Sequence, residues 1–211
     1  RRASEITSIL RDVFIDKKNI YNKKGDANDI DKTFRAPIFT TFDLFVEELG
    51  PDCHQFIGPF IEVLVNIANN RSKNTHCYAA QTLAKIASTL PPEDANGNQF
   101  VSLALQTALN DIKKKDTKTC GISTLNIILN YRPDLIDPIK SDLIQFCMSV
   151  VQRSKAGAAE NDDFLNGCIV LYLTIVRLFN IVDENSINVI NVFIEAVNVD
   201  YDNLDLIPLS S

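Results

Sequence analysis

Two stretches of the chain, TLAKIASTLP at residues 82–91 and TLNIILNYRP at residues 124–133, repeat one pattern. Each begins with threonine and leucine, continues with an isoleucine three positions after the leucine, and ends at a proline. Apolar residues spaced by three and four lie on one face of an α-helix, and proline is poorly tolerated inside one. The two stretches therefore predict helices in equivalent positions that end before Pro91 and Pro133.

Stop signals of this kind recur along the chain, since Pro51, Pro91 and Pro133 follow one another at a nearly constant interval of about 40 residues. Helix pairs that recur at this interval are typical of HEAT and armadillo units, which stack because one unit cannot bury its apolar face alone. We therefore predict an all-α, HEAT-type α-solenoid of about four antiparallel helix pairs plus a leading helix. An irregular helical bundle is the alternative. Superposing Pro51 on Pro133 also matches apolar positions, namely Ile61 with Leu143, Leu64 with Phe146, Val65 with Cys147, and Ala68 with Val150.

The apolar periodicity and the turn residues divide the chain into predicted elements. They are a leading helix at 4–21, a polar loop at 22–31, and helices at 32–49, 56–69, 74–89, 99–114, 117–130, 138–152, 162–180 and 184–197. We predict that residues 1–211 form a single helical-repeat domain. Because the chain begins with Arg1 and not with methionine, we expect it to be a fragment of a longer protein.

Composition excludes several classes of protein. The 211 residues are 45% hydrophobic and 23% charged, which is typical of a globular protein, and only 7 are glycine, fewer than a β-sandwich or barrel of this size needs. The net charge of −6 argues against a general nucleic-acid binder. The apolar stretch 164–182 is interrupted by Asn166, Arg177 and Asn180. It predicts a helix buried by its neighbours and not a membrane span.

The candidates for chemistry are few. The five cysteines, Cys53, Cys77, Cys120, Cys147 and Cys168, form no C-x-x-C motif, so we expect buried thiols in a reducing compartment and no zinc site. The neighbours Cys53-His54 and His76-Cys77 suggest one enzyme hypothesis, a thiol–imidazole pair of Cys53 with His76 across a repeat. We expect instead a loop histidine, a surface histidine and packed thiols.

Two further motifs are weak. Asp26, Asn28, Asp29 and Asp31 gather oxygen ligands in the polar loop, but the loop lacks the central glycine and the final glutamate of a calcium-binding EF-hand. Arg1-Arg2-Ala3-Ser4 has the form of a site for a basophilic kinase. We predict no catalytic residue, no cofactor and no metal site, and therefore a protein that is not an enzyme.

Two segments resemble a known family. LFVEELGP at residues 44–51, followed by FIGPFIEVL at 56–64, resembles HEAT units of the importin-β (karyopherin-β) nuclear transport receptors, in which a Leu-Gly turn ends one helix and a proline–aromatic segment opens the next. DDFLNGC at 162–168 and NVFIEAVNVDYD at 191–202 are similar to a late part of the large importins. The resemblance covers roughly residues 33–205. It implies a C-terminal fragment of such a receptor.

The resemblance also implies partners. These receptors bind cargo on a concave face and Phe-Gly nucleoporins between outer helices, and they bind Ran mainly through N-terminal repeats that this fragment would lack. The implied location is the cytoplasm and the nucleus, with no nucleic-acid or membrane partner. Asp43, Glu47, Glu48, Asp162 and Asp163 are acidic candidates for basic signals, although solvated helix positions are the simpler interpretation. The alternative function is another HEAT scaffold: a phosphatase scaffold, a cullin regulator or a microtubule-binding array.

Overall fold

The computed structural model describes residues 39–70, 74–155 and 161–181, together with Glu5, Ile187, Ile190 and Asn191. Among these residues the structure is helical and contains no strand. The long helices are α1 over residues 39–49, α2 Ile61–Asn69, α3 Thr75–Ser88, α4 Ala95–Asp111, α5 Lys118–Tyr131, α6 Lys140–Lys155 and α7 Asp162–Leu178. The predicted all-α class is therefore confirmed. The predicted helices 4–21 and 184–197 lie outside the described residues except for those four single positions, and the loop 22–31 lies wholly outside them.

The predicted helix at 56–69 is wrong in its first part. The chain forms a 3₁₀ turn at Gly50–Cys53, a short helix at His54–Ile57 and a second 3₁₀ turn at Gly58–Phe60 before α2 begins. Pro59 is the cause, because a proline lacks the N–H of a continuous helix and restricts the residue before it. Helix α6 is preceded by similar elements, a short helix at Pro133–Ile136 and a 3₁₀ turn at Asp137–Ile139 that contains Pro138.

The predicted start of α4 at Gln99 is also wrong, since the helix begins at Ala95 and ends at Asp111 instead of Lys114. Asp94 is the N-cap residue, and its carboxylate accepts a hydrogen bond of 2.8 Å from the backbone N–H of Gly97. A side-chain acceptor at the N-cap satisfies one of the free amides of the first turn and stabilises a helix by about 1 kcal/mol. This cap allows residues 95–98, Ala-Asn-Gly-Asn, to be helical although they carry no apolar stripe.

The described residues fall into two compact units divided after Arg132. In the first unit, α3 is central and packs against α2, α4 and α5, while α4 also packs against α5. Helix α1 contacts α3 through the stacked rings of Phe39 and Tyr78, whose centroids are 6.1 Å apart. In the second unit α6 packs against α7, where the rings of Phe146 and Phe164 meet edge to face at 6.3 Å.

Burial follows the repeat that the sequence predicts for α3 and α5. Thr82, Leu83 and Ile86 are each fully buried, and so are their counterparts in the repeat, Thr124, Leu125 and Ile128. The predicted superposition of Pro91 on Pro133 is therefore matched by the packing.

The second predicted superposition, of Pro51 on Pro133, is wrong in its register. The equivalent 3₁₀ turns are Gly58–Phe60 and Asp137–Ile139, so Pro59 corresponds to Pro138. In this register buried positions coincide, since Ile57, Leu64 and Ala68 correspond to Ile136, Leu143 and Cys147. The corresponding prolines are therefore Pro59 and Pro138, which lie inside the 3₁₀ turns. The next helix begins after such a turn, whereas the first proline after the preceding helix does not determine its start.

Gly121 of α5 lies directly against the backbone at the C-terminal end of α4. A Cβ atom there would be 3.0 Å from the carbonyl oxygen of Ala108 and 3.0 Å from the backbone nitrogen of Ile112. Both neighbours are backbone atoms, which cannot move aside as the end of a flexible side chain can. Glycine is therefore required by the helix crossing and not by a turn.

We predict that Gly121→Ala lowers the free energy of unfolding by about 1–3 kcal/mol through overpacking, although alanine at an exposed helical site would raise it by about 1 kcal/mol. Urea unfolding followed by circular dichroism measures the change. Asn130→Ala, at an exposed position of the same helix, is the control and should change stability by less than about 0.5 kcal/mol. A stabilised Gly121→Ala variant would contradict the close crossing.

Candidate functional site

The first histidine, His54, lies in the short helix His54–Ile57, and not in a loop as predicted, and it contacts the C-terminal end of α3. His54 Nε2 is 2.9 Å from Thr89 Oγ1, and the Thr89 hydroxyl donates its own hydrogen to the carbonyl of Ile86 at 2.7 Å. The threonine oxygen must therefore accept from His54, so Nε2 carries the hydrogen. Burial raises the pKa of the adjacent Cys53 thiol, against a smaller opposite effect of its hydrogen bond with Thr89. A neutral, buried thiol is a poor nucleophile.

The N-terminal end of α3 holds the second histidine, which is buried and not on the surface as predicted. His76 is 2% exposed, and its Nε2 lies 2.9 and 2.8 Å from the two carboxylate oxygens of Asp111, which is fully buried at the end of α4. Lys114 adds a contact of 3.0 Å to the same carboxylate. Burial alone would raise the pKa of Asp111, but the hydrogen bonds from His76 and Lys114 outweigh it and lower the pKa. The three groups tie α3 to α4.

The structure does not bring Cys53 to His76. Cys53 lies at the Thr89 end of α3, and His76 lies at the other end, about 20 Å away along a helix that rises 1.5 Å per residue. The thiol of Cys77 donates to the carbonyl of Asn74 at 2.9 Å, within its own helical turn. The thiol–imidazole pair considered from the sequence is therefore wrong on geometry.

The remaining cysteines are packed as neighbours on adjacent helices. Cys120 of α5 interacts with Cys77 of α3, and Cys147 of α6 interacts with Cys168 of α7. Hydrogen bonding to the partner thiol and burial raise the pKa values of Cys120 and Cys147 well above the usual range. All five cysteines are free and buried, as predicted.

We predict that iodoacetamide at pH 7 alkylates the folded protein far more slowly than it alkylates free cysteine, because each thiol is buried and those of Cys53, Cys120 and Cys147 are held in the neutral form. Mass spectrometry of the labelled peptides measures the rate at each position. In concentrated guanidinium all five should react at one similar rate. A folded-state rate at Cys53 or Cys77 equal to that of free cysteine would restore the thiol-enzyme hypothesis.

The acidic candidates have different surroundings. Lys85 of α3 reaches Asp43 at 2.9 Å and Glu47 at 2.7 Å, and Thr82 donates to Asp43 at 2.9 Å. Burial raises the pKa of Asp43, outweighing the opposite effect of Lys85. Asp43 and Glu47 thus join α1 to α3, whereas Glu48, Asp162 and Asp163 are exposed. Lys85 was not predicted as a partner of these carboxylates, although its spacing of 38 residues from Glu47 is close to the repeat interval.

A groove of about 440 Å³ lies between α2 and α4, and it was not predicted. We call it the α2–α4 groove. Its apolar lining consists of Ile61, Val65, Leu90 and Phe100, and its carboxylates are Glu62 and Asp94. His54, Gly58, Asn96 and Gln99 complete it. Residues of both helices meet here only after the chain folds, and no local motif marks them.

Four further predictions concern a membrane span, metal sites, the apolar stretch 164–182 and two short motifs. Among the described residues no helix is long and apolar enough to cross a membrane, and no three His, Cys, Asp or Glu side chains are grouped as a metal site. The prediction that the stretch 164–182 is a helix buried by its neighbours is correct for one face of α7 only, since Val170 is 49% and Leu178 41% exposed. The Arg1–Ser4 motif and the oxygen-ligand set Asp26, Asn28, Asp29 and Asp31 lie outside the described residues.

Comparison with known proteins adds no relative: no protein-family model, curated protein or solved structure matches the chain. The importin-β resemblance therefore remains a prediction that rests on the segments quoted above.

Proposed function

We propose that the chain is a segment of a HEAT-type helical-repeat protein that acts by binding other proteins. One observation carries the proposal. The burial pattern of α3 recurs in α5, where Leu125 takes the place of Leu83, and the 3₁₀ turn before α2 recurs before α6. The interval from Pro59 to Pro138 is close to twice the interval from Leu83 to Leu125. This is expected if each unit of about 40 residues contributes one pair of helices.

Contacts between alternate helices support the same proposal. Lys85 of α3 reaches back 38 residues to Glu47 of α1, and Gln81 of α3 meets Cys120 of α5, 39 residues ahead, at 3.3 Å. Helices α3 and α5 are neighbours although α4 intervenes in the sequence. Contacts between each helix and the next but one are the expected pattern when one helix of every pair stacks on its counterpart in the next pair.

A protein-binding role suits this architecture because stacked helices present a continuous row of side chains to a partner. The two histidines and five cysteines of the chain are engaged in packing or in contacts that join helices. The open α2–α4 groove, by contrast, is lined by acidic and apolar side chains. Recognition is the function that this surface supports best.

The finer proposal is a nuclear transport receptor. Its support is the resemblance of residues 44–64, and the turn there has the form that the family pattern implies. Gly50 adopts a φ of +52° directly after α1, and this left-handed conformation is the common way to end a helix at a Leu-Gly pair. Under this proposal the chain binds cargo and Phe-Gly nucleoporins in the cytoplasm and nucleus.

Binding of Phe-Gly repeat peptides tests the transport proposal. The intact protein should be retained on immobilised Phe-Gly peptides and not on matched Ser-Gly peptides of equal length and charge, because the phenylalanine ring supplies most of the buried apolar area. Equal retention on both peptides would count against a transport receptor. It would leave the HEAT-type scaffold as the proposed architecture, because the burial repeat does not depend on any ligand.

A further inference from the structure

We propose that the α2–α4 groove binds an arginine side chain of a partner protein, with its aliphatic stem on the apolar floor and its guanidinium group between Glu62 and Asp94. The inference rests on the proposed protein-binding function and adds the chemistry of one ligand. It follows from the side chains that folding brings together from α2, from the turn after α3 and from α4.

The groove has negative charge that the described residues do not neutralise. Glu62 and Asp94 line it, no lysine or arginine does, and neither carboxylate forms an ion pair with a described residue. Asp43 and Glu47 differ, because Lys85 already contacts both. A cationic ligand is therefore favoured in the groove, where two carboxylates at the edge of an apolar surface attract it more strongly than isolated surface charges do.

The apolar floor selects a ligand with an aliphatic part. Ile61 and Val65 are half-buried on the α2 side, and Phe100 lies on the α4 side. Arginine and lysine bury their methylene stems along apolar surface while the charged group stays with polar partners. A small cation such as ammonium would leave this floor exposed to water, so a long basic side chain fits better.

The polar atoms of the groove select arginine over lysine. Asp94 is held in place because its Oδ1 accepts the cap hydrogen bond from Gly97, and this leaves Oδ2 for a ligand. The His54 ring lines the groove and carries its hydrogen on Nε2, so in the neutral ring Nδ1 is an acceptor. Guanidinium has five donors in a planar fork, whereas ammonium is a compact point charge with three. Several separated acceptors therefore match arginine.

The test uses an eleven-residue synthetic peptide with a central Leu-Arg-Leu and a second peptide in which citrulline, neutral and of the same shape, replaces the arginine. Each is titrated into the ¹⁵N-labelled protein and followed by NMR. The arginine peptide should shift the backbone amides of Glu62, Val65, Asp94 and Phe100. The affinity of the citrulline peptide should be lower by about tenfold or more, because this peptide lacks the charge-assisted hydrogen bonds.

A double variant, Glu62→Gln with Asp94→Asn, should weaken binding of the arginine peptide by about tenfold or more. Asparagine caps helices as well as aspartate does, so this variant keeps the start of α4. The matched control is Glu48→Gln with Glu93→Gln, which removes the same charge from exposed positions outside the groove and should leave binding unchanged.

Three results would overturn the proposal: amide shifts confined to another surface, equal affinity for the citrulline peptide, or the same loss of affinity in the control variant. If the arginine peptide fails to bind while Phe-Gly peptides are retained, the groove inference fails and the proposed function stands. Failure of both peptide classes would count against the transport proposal as well.

Discussion

Replacing His76 with leucine is expected to lower the free energy of unfolding by about 3–5 kcal/mol, the usual cost of leaving a buried charged group without one of its partners. The variant leaves the fully buried carboxylate of Asp111 with one partner among the described side chains, Lys114, whose own side chain is 46% exposed. Urea unfolding at pH 7 measures the change.

The control is a second substitution on the same background. His76→Leu combined with Asp111→Ala should be more stable than His76→Leu alone, since the buried charge is then gone together with its partner. A double variant less stable than the single one, or a single variant within about 1 kcal/mol of the natural protein, would contradict the energetic role of the pair.

The same pair predicts how stability depends on pH. The folded-state pKa of Asp111 is lowered, because hydrogen bonds from His76 and Lys114 outweigh burial. Its unfolded-state pKa is about 3.9, so the stabilisation is fully present above about pH 4 and is lost as the pH falls through the lower folded-state value. His76→Leu removes the largest of the effects that lower the pKa of Asp111, so we expect burial to raise this pKa above its unfolded-state value. The free energy of unfolding of His76→Leu should therefore rise on acidification from about pH 7 to about pH 4, whereas that of the natural protein should not. The reference is His76→Leu with Asp111→Ala, which lacks the titrating carboxylate.

Replacing Leu83 with alanine is expected to cost about 2–5 kcal/mol. Leu83 is fully buried at the centre of α3, which packs against α2, α4 and α5, so the cavity left behind has walls on several sides that cannot all collapse. Leu125→Ala should cost a similar amount, because Leu125 is fully buried at the equivalent position of α5.

Leu44→Ala is the matched control, since Leu44 is 52% exposed on α1 and its truncation should change stability by less than about 0.5 kcal/mol. Urea unfolding of the three variants tests the burial pattern directly. Similar values for Leu44→Ala and Leu83→Ala would mean that α3 is not the centre of the first unit.

The sequence predicted most of the helices because helix formation depends on apolar spacing and on proline, which are local properties. The interval between Leu83 and Leu125 came from the same source, since equivalent helices repeat one pattern of burial. The predicted helix boundaries were wrong where a capping residue or a proline, and not the apolar spacing, determines the start of a helix. Gln99 was taken as the first apolar-patterned position of α4, whereas the cap at Asp94 starts the helix earlier, and Pro59 interrupts the helix predicted at 56–69.

The contacts that characterise the candidate sites could not be predicted in this way. His76 and Asp111 are 35 residues apart, and Glu62 and Asp94 line one groove only because α2 and α4 pack beside each other. Neither pair belongs to a short motif, so nothing near either residue indicates its partner. The sequence alone determined that the chain is helical and that α3 and α5 repeat one pattern of burial. Tertiary structure alone decided that His76 is buried, that Lys85 neutralises Asp43 and Glu47, and that Glu62 and Asp94 remain open to a ligand, because side chains distant in sequence acquire their surroundings only when the helices pack.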